Sequence, residues 1–290
     1  KGYIARLVEN GHKVAICDQV EDPAAAKGLV KREVVRVITP GMIIEDEFLD
    51  QKTNNYILSL CYQNNVFGMA CLDISTGTFR VTESAETNRI VEEIFRINPS
   101  EILMPKAMAD DPGFSALIGL FSQNALGFIE NEAFSSQKSR DLLLAHFKVF
   151  SLEGFGCETQ NTAVSAAGAL LHYVNETQKQ PLTHVNHIET YFLDRFLLID
   201  ENSCRNLELL SNLKSGSRRG TLISILDETV TAMGGRLLKQ WLRYPLIDRT
   251  AIEDRLDAVE EAKKEIQHGR KIRNALKGVY DLQRINGKIA

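Results

Sequence analysis

Cysteine is scarce: the 290-residue chain has five, and Cys17, Cys61, Cys71, Cys157 and Cys204 form no C-x-x-C pair. Their odd number and wide spacing exclude a disulfide framework and argue against a structural zinc site. Apolar neighbours, as in Ala15-Ile16-Cys17 and Ala70-Cys71-Leu72, suit free thiols packed as small hydrophobes in a reducing compartment. No apolar run approaches the ~20 residues a membrane span needs, and the opening residues are not expected to be a signal peptide. Positive charge is not in excess either: 34 Lys and Arg face 38 Asp and Glu, for a net charge of −4. A domain that grips nucleic acid with its whole surface is basic, so any such contact is expected to be local or supplied from outside the chain. The phosphate-binding pattern G-x-x-x-x-G-K-[ST] is missing as well. Gly216 to Thr221 and Gly234-Gly235 lack its spacing and its lysine, so no ATP hydrolysis is expected.

What is present is an ordinary globular composition, 44% apolar and 25% charged, long enough for about two domains. Ile4, Leu7 and Val8 share a helical face at the very start, and Leu282 to Ile289 still follows a helical pattern at the end. The chain is therefore expected to be a piece of a longer protein. Val14–Cys17 and Val34–Ile38 read as β-branched strands separated by a loop at Glu21-Asp22-Pro23 and Lys27-Gly28. Tyr56–Leu60, Val66–Leu72 and Thr78–Val81 predict a three-stranded meander, turning at Gln63-Asn64-Asn65 and Ser75-Thr76-Gly77. A helix through Ile90, Val91, Ile94 and Ile97 follows, then a strand at Glu101–Met104, a helix near 114–121 and a strand at Leu126–Ile129. That order predicts a mixed-sheet α/β domain of RNase H-like type. From Thr159 the strand signal fades. An amphipathic helix to Gln178, ended by Gln180-Pro181, is followed by a short strand pair around Val185–Ile188 and Phe196–Ile199. Helices are then expected at 202–213, 221–228, 233–243, 248–268 and beyond, forming an all-helical domain. Asp248, Glu253 and Asp254 are expected to place acids in a helix's first turn, where they complement the dipole.

Several clusters could carry chemistry. His184 and His187, with Glu189, have a metal-like spacing but no clear further ligand, which favours polar surface histidines. Asp73, Glu83 and Glu101 lie on or beside strands, as the metal-holding carboxylates of RNase H-like nucleases do; the simpler expectation is that Asp73 caps its turn. Arg236, Lys239 and Arg243 fall at i, i+3 and i+7, on one helix face opposite Leu237, Leu238 and Trp241. They suit an acidic partner or DNA phosphates, or alternatively a solvated face or internal pairing between helices. Gly154 and Gly156, flanking Phe155, are expected to form a hinge between the α/β and helical parts.

Longer strings are more specific. Val14 to Pro23, Lys27-Gly28 and Arg36-Val37-Ile38-Thr39-Pro40-Gly41 resemble the end of the mismatch-binding domain of the MutS family of bacterial DNA mismatch-repair sensors. Leu72 to Gly77 resembles the hairpin of that family's connector domain. Asp200 to Leu209, Thr221 to Leu238, Trp241 to Leu246 and Asp281 to Ile285 resemble its core domain. The matches are collinear over nearly the whole chain.

The resemblance implies a mismatch-binding remnant at 1–44, an RNase H-like connector at 45–158 and the first part of a helical core (lever) domain at 159–290. It also implies that the whole protein is a cytoplasmic, homodimeric, ATP-dependent clamp that finds mispaired or unpaired bases and recruits MutL. The Phe-x-Glu mismatch reader, the DNA clamp and the Walker ATPase domain would lie outside this chain. The chain itself is then expected to be non-catalytic, without metal or cofactor, while ATP and Mg belong to the parent. Arg36 is the one candidate DNA contact the resemblance carries over, the alternative being a buried or packing arginine. Arg236, Lys239, Trp241 and Arg243 are expected in interdomain or core packing. The competing expectations are a metal-dependent nuclease using Asp73 and a stand-alone DNA-binding module.

Overall fold

The computed structural model describes residues 2–19, 30–179 and 182–289. The expected loop at 21–28 and the helix stop at Gln180-Pro181 lie outside the described residues. Helix α1 (Gly2–Glu9) leads into a hairpin of β1 (Val14–Gln19) and β2 (Arg32–Ile38), with a register shift between Ile16 and Cys17. Two short 3-10 turns, at Pro40–Met42 and Asp46–Phe48, carry the chain to the central sheet.

The sheet is built from β3 (Ile57–Gln63), β4 (Val66–Asp73) and β5 (Thr78–Ser84), joined as an antiparallel meander. The tight turns are set by local chemistry. Asn64 and Asn65 take the left-handed conformation between β3 and β4, and Gly77 does so before β5. After α2 (Thr87–Ile97), strand β6 (Glu101–Pro105) returns parallel to β3. Helices α3 (Lys106–Asp110) and α4 (Ser115–Ile118) precede β7 (Leu126–Ile129), which lies parallel to β6. Then come α5 (Ser136–Phe147), α6 (Asn161–Gln178) and β8 (Glu189–Thr190), the last pairing parallel to β5. The six-stranded order is β7-β6-β3-β4-β5-β8.

The strands read as continuous apolar runs because both faces of the sheet are covered. Ile57 and Cys61 of β3 enter one core beneath α5 and α6, while Leu58 and Leu60 enter the other beneath α2. Helix α6 is buried almost all round, with Ala163, Ala166, Ala167, Ala169, Leu170 and Leu171 at 1% exposure or less. Small residues let it approach closely. A Cβ added at Gly68 would lie 2.1 Å from the Thr162 carbonyl oxygen, and one at Gly168 would lie 2.2 Å from Ser139 Cβ. Gly168→Ala is therefore expected to lower stability by about 1–3 kcal/mol through overpacking. Gly154→Ala, whose Cβ would meet nothing within 4 Å, should be near neutral; urea unfolding of the two variants checks the contrast.

The boundary expected at residue 158 falls between α5 and α6. Helix α6 and strand β8 belong physically to the sheet unit, which therefore continues to Thr190. The segment around Gly154 and Gly156 joins α5 to α6 inside one layer. Leu152 is fully buried, Thr190 Oγ1 donates to the Phe155 carbonyl at 2.6 Å, and Leu152 N donates to Glu158 Oε2 at 2.7 Å. Gly156, at φ +77°, simply ends the 3-10 turn.

The rest is helical: α7 (Glu201–Asn206), α8 (Leu222–Leu226), α9 (Ala232–Arg243), α10 (Arg249–Lys264), α11 (Ile266–Leu276) and α12 (Leu282–Ile289). Side-chain caps fix several starts: Asp200 accepts from Ser203 N, Thr221 from Ser224 N, Thr231 from Gly234 N and Asp248 from Ala251 N. Asp248 is thus a cap rather than a first-turn acid. The helix expected at 202–213 ends at Asn206, and the one expected at 248–268 breaks at Glu265. The strand pair expected near 185–188 and 196–199 reduces to β8 and a single bridge between Phe196 and Leu246.

Candidate functional site

The sheet unit and the helices meet along a seam made largely of charged groups. Its first half grips the segment at 50–53, just before β3. Arg236 of α9 is 5% exposed. Its guanidinium forks onto Asp281 with both contacts at 2.7 Å, and also donates to Gln283 Oε1 at 2.6 Å and the Gln51 carbonyl at 2.8 Å. One planar group thus joins α9, the start of α12 and the entry to the sheet. Arg284 of α12, 2% exposed, donates to the carbonyls of Asp50 and Thr53 at 3.1 and 2.7 Å. Lys239 reaches Thr53 Oγ1 and lies 3.5 Å from Asp50 Oδ2. In return Lys52 crosses to the helices, where its ammonium meets both oxygens of Asp227 at 3.1 Å and the Thr229 carbonyl at 3.0 Å. Arg218 completes the Asp227 site at 2.5 Å.

The second half is a buried latch around Glu93 of α2, which is 1% exposed. Tyr191 and Tyr244 donate their hydroxyls to Glu93 Oε1 at 2.8 and 2.7 Å, and Arg96 contacts Oε2 at 3.2 Å. The Arg80 guanidinium stacks 3.9 Å from the Tyr191 ring centroid, and Arg96 lies 5.0 Å from that of Tyr244. Arg243 closes this end by donating to the Ile97 carbonyl at 3.2 Å. Burial pushes the Glu93 carboxyl above its ordinary range, against Arg96 and the two phenols, which favour its ionised form.

Helix α9 therefore turns its charged face inward and leaves Leu237 and Trp241 exposed, with Arg255 stacked 3.8 Å over the indole. Trp241, expected in packing between the parts, lies outside the seam, because it sits on the face away from Arg236, Lys239 and Arg243. Arg36 lies on β2, where its guanidinium pairs with Glu45 at 2.7 Å.

The candidate carboxylates do not converge. Asp73 is fully buried and accepts from Ser75 N and Oγ through one oxygen and from Asn54 Nδ2 and Asn55 N through the other. Glu101 is held by Thr39, Tyr173 and Lys13, tying the first hairpin to the sheet. Glu83 stands opposite Gly68, at the other end of the strands, and accepts from Ala163 N at the start of α6. His184 is buried against the Ile74 carbonyl, and His187 packs edge-on to Phe155. Among the described residues no group of three or more His, Cys, Asp or Glu could hold a metal ion. No helix among them is long and apolar enough to cross a membrane.

The seam's acids give it a pH dependence. Burial alone would raise the Asp281 and Asp227 carboxyls. It is outweighed by hydrogen bonds, from Arg236 at Asp281 and from Thr229, Lys52 and Arg218 at Asp227, so both sit below the ordinary carboxylate value. A depressed folded value contributes stability that is present above the unfolded pKa and is lost as pH falls through the folded one. The urea midpoint should therefore fall between about pH 5 and pH 2. Asp227→Asn should start lower at neutral pH and fall less steeply.

Comparison with known proteins assigns the same stretches to one family. Models described as MutS domain I, MutS domain II and MutS domain III match residues 1–47, 55–189 and 202–290. The chain belongs to the MutS family. The domain II match ends at 189, where β8 begins, in keeping with α6 lying on the sheet. A protein of Desulforapulum autotrophicum named DNA mismatch repair protein MutS is 50% identical over 99% of this chain and 33% of its own length. MutS of Desulfosudis oleivorans is 49% identical over 99% of the chain and 33% of its own length. MutS of Halothermothrix orenii is 44% identical over the whole chain and 32% of its own length. The chain thus spans about a third of the length of these relatives. In MutS terms Arg236 and Arg284 of domain III hold the segment at 50–53, between the domain I and domain II matches, while Tyr244 and Arg243 of domain III reach Glu93 and Ile97 of domain II.

Sequence reasoning singled out Arg236, Lys239 and Arg243 but missed the latch. A signal for it exists: Glu93 and Arg96 interrupt the apolar face that Ile90, Ile94 and Ile97 give α2. A paired acid and base on a buried face must find partners, which here are Tyr191 and Tyr244.

Proposed function

We propose that this chain is the connector and core portion of a DNA mismatch-repair protein. Its work is mechanical. It links mismatch recognition at one end of the parent to the ATP state at the other, and presents a surface to MutL. The charged seam carries this reading. It joins the two units through a limited set of directional contacts instead of an apolar core, so two arrangements of the same groups can be close in energy, as coupling between distant sites requires. The sheet order, with a β3-β4-β5 meander and β6 and β7 added in parallel beyond β3, supports an RNase H-like connector. The parent binds mismatched duplex DNA as a homodimer and supplies ATP and Mg to a domain outside this chain; Arg36 is the proposed DNA contact within it.

A nuclease reading is not favoured, because Asp73, Glu83 and Glu101 are each committed to separate structural hydrogen bonds. A stand-alone DNA-binding module is opposed by the net charge of −4. Titrating the protein against the ATP-bound N-terminal domain of its cognate MutL, with mismatched duplex as a parallel ligand, tests the reading. Saturable MutL binding with weak DNA binding is expected. Tight, strongly salt-dependent DNA binding without MutL binding would overturn it.

A further inference from the structure

Behind the Glu93 latch, on the side facing α7, lies a cavity of about 260 Å³ between the two units. Arg96 and Asn98 reach it from the sheet unit, and Arg205, Ser211, Arg243 and Glu201 from the helices. Three guanidiniums and one carboxylate line it, and one of the three, Arg96, is already paired with Glu93. Arg96 matters most. It is 7% exposed, it spends Nη1 on Glu93, and its Nε and Nη2 are buried with no hydrogen-bond partner. A buried guanidinium with two idle nitrogens calls for an acceptor, because such groups are costly to leave unpaired.

We propose that this cavity is a binding site for a small tetrahedral oxyanion of the inorganic phosphate class. A planar guanidinium fork suits phosphate oxygens, and several oxygens on one ligand can accept from Arg96, Arg205 and Arg243 together. At about 260 Å³ the cavity has room for a small oxyanion with part of its hydration water. The bound ion bridges Arg96 on α2 to Arg205 on α7 and Arg243 on α9, so it fastens the seam from both sides. Ligand concentration then biases the seam toward its closed arrangement by mass action.

Cys204 provides the readout. Its thiol is half-buried and lines the cavity, whereas Cys17 is exposed on β1. Iodoacetamide alkylation, resolved by peptide mass mapping, would be followed while inorganic phosphate replaces chloride at constant ionic strength. Phosphate should slow Cys204 alkylation saturably, with a midpoint near or below about 1 mM, and leave the Cys17 rate unchanged. Arg205→Gln, at an exposed position on the rim, should keep the fold by circular dichroism and weaken the midpoint about tenfold. Arg96→Gln should remove the protection. An unchanged Cys204 rate across the titration would overturn the proposal, as would equal protection by chloride. So would an Arg205→Gln midpoint equal to that of the unmodified protein.

Discussion

Arg236→Ala should lower the unfolding free energy by about 3–5 kcal/mol, the cost of breaking a largely buried ion pair from one side. The loss has identifiable parts. Asp281, hydrogen-bonded twice by the guanidinium at 2.7 Å, keeps its charge with its main partner gone. The Gln51 carbonyl and Gln283 Oε1 lose their donors too. The effect should fall toward the lower end, because the Asp281 side chain retains 18% exposure and can recruit water. Arg236→Lys separates charge from geometry. It keeps the cation but loses the fork, so it should recover about half of the loss. Urea unfolding gives the magnitudes, and amide exchange across 50–53 shows whether that segment loosens first. A change below about 0.5 kcal/mol, the usual range for surface substitutions, would mean that the clamp does not hold the units together.

Glu93→Ala should cost about as much, roughly 3–5 kcal/mol, by a different route. It removes the one acceptor shared by two buried phenols and a buried guanidinium. Each donor is then left unsatisfied where water is excluded, and the Arg96 charge loses its nearest counterion. Tyr244→Phe should cost only about 1–1.5 kcal/mol, because Glu93 keeps Tyr191 and Arg96. The double variant Glu93→Ala/Tyr244→Phe should cost less than the sum of its parts, since the second change removes a donor already stranded by the first. Strict additivity would show that Glu93 and Tyr244 are not coupled.

The sheet was the most legible part of the fold. The stretches 57–61 and 67–72 are apolar but for Ser59 because both faces are buried there, and the Asn and Gly residues between strands mark their turns. The boundary between the units was less legible. An Ala-rich segment after an α/β pattern suggests the start of a helical domain. Yet α6 is buried on nearly every side, and that all-round apolarity is the mark of a helix inside a layer. The segment at Gly154 and Gly156, expected as a hinge between the parts, joins α5 to α6, since glycine signals local freedom but not which elements it connects. Helix α9 shows the limit most clearly. Its periodicity defines two faces, but which of them points inward depends on Lys52, Asp281 and the carbonyls at 50–53, distant in sequence. Arg236 could be picked out as unusual, while its partners could not.

The proposed role of the seam, carrying state between mismatch recognition and nucleotide turnover, is read out by mismatch-provoked exchange of bound ADP for ATP in the full-length protein. Arg236→Lys keeps the charge and should leave mismatch affinity within about twofold, a change of less than 0.5 kcal/mol. It should nevertheless blunt the acceleration of exchange by mismatched over matched duplex at least about tenfold. Full acceleration by mismatched DNA in a folded Arg236→Lys protein would leave the seam a purely structural joint.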